Sequence, residues 1–316
     1  MNESLAGDQE RTNGKRAILI AGPTASGKSA LALKLAKDRN GVILNADSMQ
    51  LYEDLRLVSA RPSLEDEAAV PHRLYGVLPA SKACSTGEWL RMISDELDTV
   101  WSHGNLPVLV GGTGLYFKGL TEGFAELPEI SIDHRREARE LADREGVEGL
   151  KAALVKQGDA QAAASLNDPQ RLARALEVVI STGKPLSLWQ SEQQSAPLLR
   201  GDQCIRIVLA PPRPWLHERI AQRSRLMLSV AGQEEVRLLL EQGLSPSIPA
   251  MRAIGVAEIG AYLLGETDLE ETIHRLTVAT RQYAKRQETW FRNQMADWQR
   301  FDPSAEIDLS AIHWLT

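Results

Sequence analysis

The chain has 316 residues, 43% hydrophobic and 25% charged, proportions that exclude a disordered chain and allow one large core with a smaller unit beside it. No stretch approaches the roughly 18 consecutive apolar residues of a membrane span, and the formal net charge of -6 excludes nucleic-acid binding by the whole surface, leaving only a local basic patch for such a partner. Cys84 and Cys204 lack C-x-x-C spacing, so they read as packing residues in a reducing compartment, which predicts a cytoplasmic protein with no membrane association.

Residues 1–16 form a polar leader, and the apolar run after it is too short for a signal peptide. That run, 17–21, opens a series of buried-strand candidates at 42–44, 74–78, 107–110 and 205–210, separated in several places by helical patterns. The alternation predicts an α/β fold, a parallel sheet with helices on both faces, and the phosphate-cradling loop that follows its first strand makes the expected class P-loop NTPase-like. Between 127 and 199 the pattern turns wholly helical. This stretch reads as an all-helical insertion domain in a core made of 17–126 and 200–316.

The first strand runs into Gly22, Pro23, Thr24, Ala25, Ser26, Gly27, Lys28 and Ser29, the G-x-x-x-x-G-K-[ST] loop that cradles phosphates. Its glycines let backbone N–H groups converge on phosphate oxygens at a helix N-terminus, Lys28 adds a point charge, and the Ser29 hydroxyl can reach a bound Mg²⁺. Asp47 follows the second strand, at the sheet edge where ligands of such folds bind. It could be a metal ligand, a general base or a cap. Gly111-Gly112-Thr113-Gly114 ends the fourth strand at the same edge, where an ATPase usually has an aspartate for Mg²⁺.

In the insertion, the clearest helix begins Asn167-Asp168-Pro169 and stops at Gly183-Lys184-Pro185, with Leu172, Leu176, Val179 and Ile180 as its buried stripe and Arg171 and Arg174 on another face. The last long helix is predicted to start at a Thr267–Glu270 capping box and to bury Leu269, Ile273, Leu276, Thr280, Tyr283, Trp290 and Gln294. Its other side carries Arg275, Arg281, Lys285, Arg286 and Arg292, interrupted by one acid, Glu288. A solvated face normally mixes signs, so this one reads as a surface for a phosphate backbone.

Taken in order, these blocks resemble the tRNA dimethylallyltransferase family, also called tRNA isopentenyltransferases, of the bacterial type. The resemblance spans about 15–298. It rests on GPTASGKS, on DSMQLY from Asp47, VPH from Val70, GGTGLYF from Gly111, NDPQRLARALEV from Asn167 and ATRQYAKRQETWFR from Ala279. It implies transfer of a dimethylallyl group from dimethylallyl diphosphate to the exocyclic amine of the adenosine 3′-adjacent to the anticodon, with Mg²⁺ as cofactor and the tRNA anticodon stem-loop as partner. It also implies that the phosphate loop holds a pyrophosphate leaving group, which explains the absent ATPase aspartate.

By the same resemblance Asp47 is the base that receives the amine proton, Thr113 stands at the reaction centre, and Arg223 clamps the diphosphate held by 22–29. The tRNA-binding residues it implies are Asp47, Ser48, Met49, Gln50, Gln170, Arg171, Arg174, Arg252, Arg281, Lys285, Arg286, Gln287 and Arg292, and the enzyme is expected to act as a monomer. The chain departs from the family where D-I-G-T-A-K-P is usual and it reads Arg56-Leu57-Val58-Ser59-Ala60-Arg61-Pro62. It departs again at Tyr75-Gly76 and at Val256-Ala257, and it ends before the zinc-binding extension of eukaryotic relatives. Two other classes compete with this reading: a small-molecule kinase using ATP, and an RNA-binding protein that uses nucleotide only as a switch.

Overall fold

The computed structural model describes residues 15–125, 127, 130–192, 195–308 and 312, so most of the predicted leader lies outside the described residues. The strands β1 (Ala17–Ala21), β2 (Gly41–Asn45), β3 (His72–Arg73), β4 (Leu106–Gly111), β5 (Cys204–Leu209) and β6 (Gln299–Phe301) form one sheet in the order β3-β2-β4-β1-β5-β6. Every pairing is parallel. β1 and β2 are buried at all five positions, as unbroken apolar runs in a doubly covered sheet require.

Two differences from the sequence expectations concern strands. The third strand is His72–Arg73, not 74–78, because Leu74 takes a left-handed φ of 63° and turns the chain out of the sheet. β6 was missed because Gln299-Arg300-Phe301 carries no apolar run, and only its pairing with β5 makes it a strand.

Around the sheet lie α1 (Lys28–Asp38), α2 (Leu64–Ala69), α3 (Thr86–Ser102), α4 (Gly114–Glu122), α9 (Arg213–Met227), α10 (Val230–Glu241), α11 (Val256–Leu263) and α12 (Leu269–Gln294). Two apolar clusters form the core. One holds Leu19, Leu44, Trp89, Leu109, Phe117, Leu276 and Phe291; the other holds Ile18, Ile20, Leu35, Ile43, Val110 and Ile207. Alternate residues of β1 thus feed both faces.

The chain divides into two compact units, one of residues up to Thr121 and from Leu198 onward, the other Glu122–Pro197. The second contains α5 (Ile132–Lys156, broken at Gly146), α6 (Ala160–Ser165), α7 (Pro169–Thr182) and α8 (Leu186–Glu192), with its own core of Leu150, Leu154, Leu172 and Leu176. The start of α7 follows from its residues: Asp168 accepts the Arg171 N–H at 2.9 Å and Pro169 sits at the first helical position.

The cap and buried face of α12 differ from expectation. Asp268, not Thr267, caps it by accepting the Glu271 N–H at 2.8 Å, while Thr267 pairs with the Thr272 hydroxyl. The buried positions are Thr272, Leu276, Thr280, Ala284, Gln287 and Phe291, and Leu269 is exposed. The helix therefore packs through small and polar residues, which an apolar count underweights. No helix among the described residues is long and apolar enough to cross a membrane.

Candidate active site

The phosphate loop is a wound turn between β1 and α1. Ala25 and Gly27 both take left-handed φ values, 62° and 86°, and the Ser26 N–H donates to the Pro23 carbonyl at 3.2 Å. Lys28 folds back so that its Nζ donates to the Pro23 carbonyl at 2.7 Å. Ser29 stands exposed in the first turn of α1. The buried Ser26 hydroxyl has no hydrogen-bond partner among the described residues.

Asp47 stands two residues past the end of β2 on a scaffold built by Asn45, which is wholly buried. The Asn45 amide donates to the carbonyls of Leu74, at 2.9 Å, and Asp47, at 3.0 Å, and its oxygen accepts the Asp47 N–H at 2.8 Å. Trp89 Nε1 donates to the Asn45 carbonyl at 3.0 Å, and Trp89 stacks on Tyr116 at 4.1 Å. Asp47 Oδ1 accepts the Met49 N–H at 3.0 Å. This local cap fixes the carboxylate's orientation.

The β4 end is pressed against this scaffold. A Cβ on Gly111 would lie 1.9 Å from the Ala46 carbonyl oxygen, so only glycine fits. The Thr113 N–H donates to that carbonyl at 3.2 Å, its Oγ1 accepts the Ser48 N–H at 2.9 Å, and its hydroxyl donates to Ser48 Oγ at 3.3 Å. Ser48 and Thr113, predicted from separate motifs, are hydrogen-bonded to each other, and Asp47, the residue before Ser48, completes the corner.

Two helices complete the pocket. From α9, Arg223 Nη1 donates to Thr24 Oγ1 and Nη2 to the Val58 carbonyl at 3.0 Å, while Arg219 Nε donates to the Ala25 carbonyl at 2.9 Å. Arg219 was not foreseen, although its position one helical turn before Arg223 was the available signal. From α12, Gln287 accepts the Thr24 N–H at 2.8 Å and donates to the Gly112 carbonyl at 2.9 Å.

Burial brings the Lys28 ammonium down to about 8, with Asp47 opposing and Arg223 adding to the depression. Burial likewise lowers Arg223, against the pull of Asp47, and its Nε has no partner among the described residues. Burial raises Tyr75 and Tyr283, and Asp47 pushes each further in the same direction. Two desolvated cations thus face a single carboxylate. Such a pocket favours an added anion, which would relieve both.

The residues expected to contact RNA are differently placed. Arg281, Lys285, Arg286 and Arg292 are exposed on α12, and a groove of about 510 Å³ runs beside Lys285, Arg286, Thr289 and Trp290. Arg275 is neutralised by Glu271 at 2.7 Å, which shortens the basic face foreseen from sequence. Gln287 lies only 5% exposed and points inward, so its side chain is not part of that face. Arg252 is exposed. The Gln50 amide is tied to the carbonyls of Ser59 and Ala60. In the helical unit Gln170 and Arg171 are exposed, whereas Arg174 pairs with the buried Glu177 at 3.0 Å.

The unusual loop is internally consistent. Arg56 donates to the Pro62 carbonyl at 2.7 Å and pairs with Glu67 at 3.3 Å. Val58 is buried, and its N–H and that of Leu57 both donate to Glu235. A Cβ on Gly76 would fall 2.1 Å from the Arg61 guanidinium, so Arg61 and Gly76 are a matched pair.

The family model described as IPP transferase matches residues 50–294, and that described as isopentenyl transferase matches 15–78. The tRNA dimethylallyltransferase of Agrobacterium fabrum is 50% identical over 290 residues, covering 91% of this chain and 97% of its own. That of Allorhizobium ampelinum is 50% identical over 293 residues, covering 92% and 95%. Among solved structures, the tRNA isopentenylpyrophosphate transferase of Bacillus halodurans aligns with a TM-score of 0.66 and 32% identity, covering 94% of this chain and 93% of its own. A eukaryotic dimethylallyltransferase acting on tRNA aligns with a TM-score of 0.74 and 27% identity, covering 94% and 75%.

Proposed function

The chain belongs to the IPP transferase family, the tRNA dimethylallyltransferases, and from that premise we propose that it moves a dimethylallyl group from its diphosphate to the exocyclic amine of the adenosine 3′-adjacent to the anticodon. The observation that carries the reading is the corner of Asp47, Ser48 and Thr113, joined through Gln287 to a phosphate loop that Arg223 also holds.

In this reaction the adenine nitrogen attacks the allylic carbon, the carbon–oxygen bond breaks with its electron pair passing to diphosphate, and the amine proton goes to Asp47. Charge accumulates on the departing diphosphate, so the amides at the start of α1, Lys28 and Arg223 stabilise the transition state more than the ground state. An adenine amine is a weak nucleophile and is stacked in free RNA, so the base must be extruded to reach the pocket. Ser48, Met49 and Gln50, fixed by Thr113, Asp47 and the 56–62 loop, would form its wall.

The donor set suits Mg²⁺. No cluster of three His, Cys, Asp or Glu side chains that could hold a metal occurs among the described residues, while the Ser29 hydroxyl lies exposed at the loop. Mg²⁺ keeps most of its waters and binds mainly through substrate phosphates, so one hydroxyl beside a diphosphate is sufficient protein ligation. When bound it would neutralise charge on the leaving group. The basic face of α12, with Arg252, would hold the anticodon stem-loop by its phosphates; in the helical unit, taken by itself, the exposed Gln170 and Arg171 are the groups offered to tRNA. One chain carries all these groups, so the reading calls for a monomer, and tRNA as substrate places it in the cytoplasm.

The test is incubation of the protein with unmodified tRNA, dimethylallyl diphosphate and Mg²⁺. RNA-dependent diphosphate release and an isoprenylated adenosine are expected. Turnover of ATP with no prenyl group on RNA would overturn the reading in favour of a kinase.

A further inference from the structure

We propose that Gln287 is a positioning residue that sets the gap between the phosphate loop and the acceptor corner, and that it does so without contacting tRNA. The inference rests on the reading of the pocket given above and deepens it. Gln287 sits in the middle of a run that otherwise exposes Lys285, Arg286 and Arg292, yet it is 5% exposed. Its amide uses both ends. The oxygen accepts the Thr24 N–H at 2.8 Å, and the nitrogen donates to the Gly112 carbonyl at 2.9 Å.

Each end leads directly to a reacting group. Thr24, held by its backbone, presents Oγ1 to Arg223. Gly112 precedes Thr113, whose hydroxyl holds Ser48 beside Asp47. The fit at Gly112 is close: a Cβ there would lie 2.3 Å from Gln287 Nε2 and 3.1 Å from Asp47 Oδ2. The glutamine amide and the Asp47 carboxylate therefore flank the same Cα. A side chain of this length with one acceptor and one donor is what the two unlike partners require, and an isosteric apolar or ionised side chain satisfies neither or only one. Because the strut springs from α12, the helix with the basic face also fixes the spacing at which amine and allylic carbon meet.

The experiment compares Gln287→Met and Gln287→Glu with the parent in steady-state kinetics and in tRNA binding across a salt series. Misplacement by about an ångström costs on the order of 100-fold in rate, so Gln287→Met should lower kcat roughly 10- to 100-fold. The tRNA Kd and its salt slope should stay at the parent values. Gln287→Glu keeps the Thr24 arm but sets a carboxylate against the Gly112 carbonyl, so its kcat should also fall. Gly112→Ala displaces the same amide, and combining it with Gln287→Met should cost no more than the worse single change.

Parent-like kcat in both Gln287 variants would overturn the proposal, as would losses that multiply in the double variant. Weaker tRNA binding with a shallower salt slope would make Gln287 a direct RNA contact instead. Should Gln287→Met fail to fold, a parent-like kcat in the near-isosteric Gln287→Glu refutes the strut and a reduced one supports it. Asp47→Asn is measured alongside. Full turnover there sinks the assignment of the base but leaves the kcat loss of the Gln287 variants standing.

Discussion

Binding of the allylic diphosphate should take up a proton, and the proton should go to Lys28. In the free protein burial lowers this ammonium from 10.5 to about 8, a depression equivalent to about 3 kcal/mol between its two protonation states. For stability the sign is unfavourable at low pH. The folded state disfavours the charged form, so the cost is fully present below about pH 8 and is relieved as pH rises toward the unfolded value of 10.5. A diphosphate reverses the balance by supplying the missing opposite charge. If the complex restores Lys28 to its ordinary range, uptake should be about 0.1 proton at pH 7, about 0.5 at pH 8 and about 0.9 at pH 9. The ligand adds little of its own, because a phosphate's second ionisation, near pH ~6, is nearly complete at these pH values. Calorimetric titration with a non-reactive donor analogue and Mg²⁺, in buffers of different ionisation enthalpy, measures the uptake. Lys28→Met should abolish it. A flat profile between pH 7 and 9, or one unchanged in Lys28→Met, would refute the electrostatic account of the pocket.

Asp47→Ala should lower kcat by about 10²- to 10⁴-fold, the usual contribution of a positioned base, while tRNA affinity stays near that of the parent; equal loss of both would make the carboxylate structural. Removing Arg281, Lys285 and Arg292 together should weaken tRNA binding and reduce the slope of log K against log salt by about 0.7–0.9 per lost phosphate contact, so an unchanged slope rejects the basic face. Gly111→Ala forces a Cβ into the Ala46 carbonyl and should destabilise the fold by about 1–3 kcal/mol or more, read as a lower midpoint in urea; a midpoint within error of the parent would show that the two strand ends are not clamped.

Sequence was most informative where one local interaction decides the outcome. The phosphate loop is written in its own eight residues, since its left-handed turns at Ala25 and Gly27 and its amide-lined helix start involve only a short stretch of chain. The start of α7 is legible in Asp168-Pro169 for the same reason. Strands β1, β2 and β4 could be read because burial on both faces leaves an apolar run, and β5 because its run is broken only by the partly buried Arg206. β3 and β6 could not, because both are short edge strands defined by the partner they lie against.

The site itself divides along the same line. That Asp47, Thr113, Arg223 and the phosphate loop belong together was inferable from ordered motifs; how they are joined was not. The scaffolding of Asn45 and Trp89, the second arginine at Arg219 and the inward turn of Gln287 depend on groups 44 to 263 residues apart along the chain. A glutamine between basic residues looks like surface until the helix is set against the sheet and its amide finds two backbone partners. Residue type and spacing determine local conformation and the available chemistry, because those depend on neighbours within a turn or two. The distances at which that chemistry operates are decided by long-range packing, because no local rule says which buried polar group another will meet.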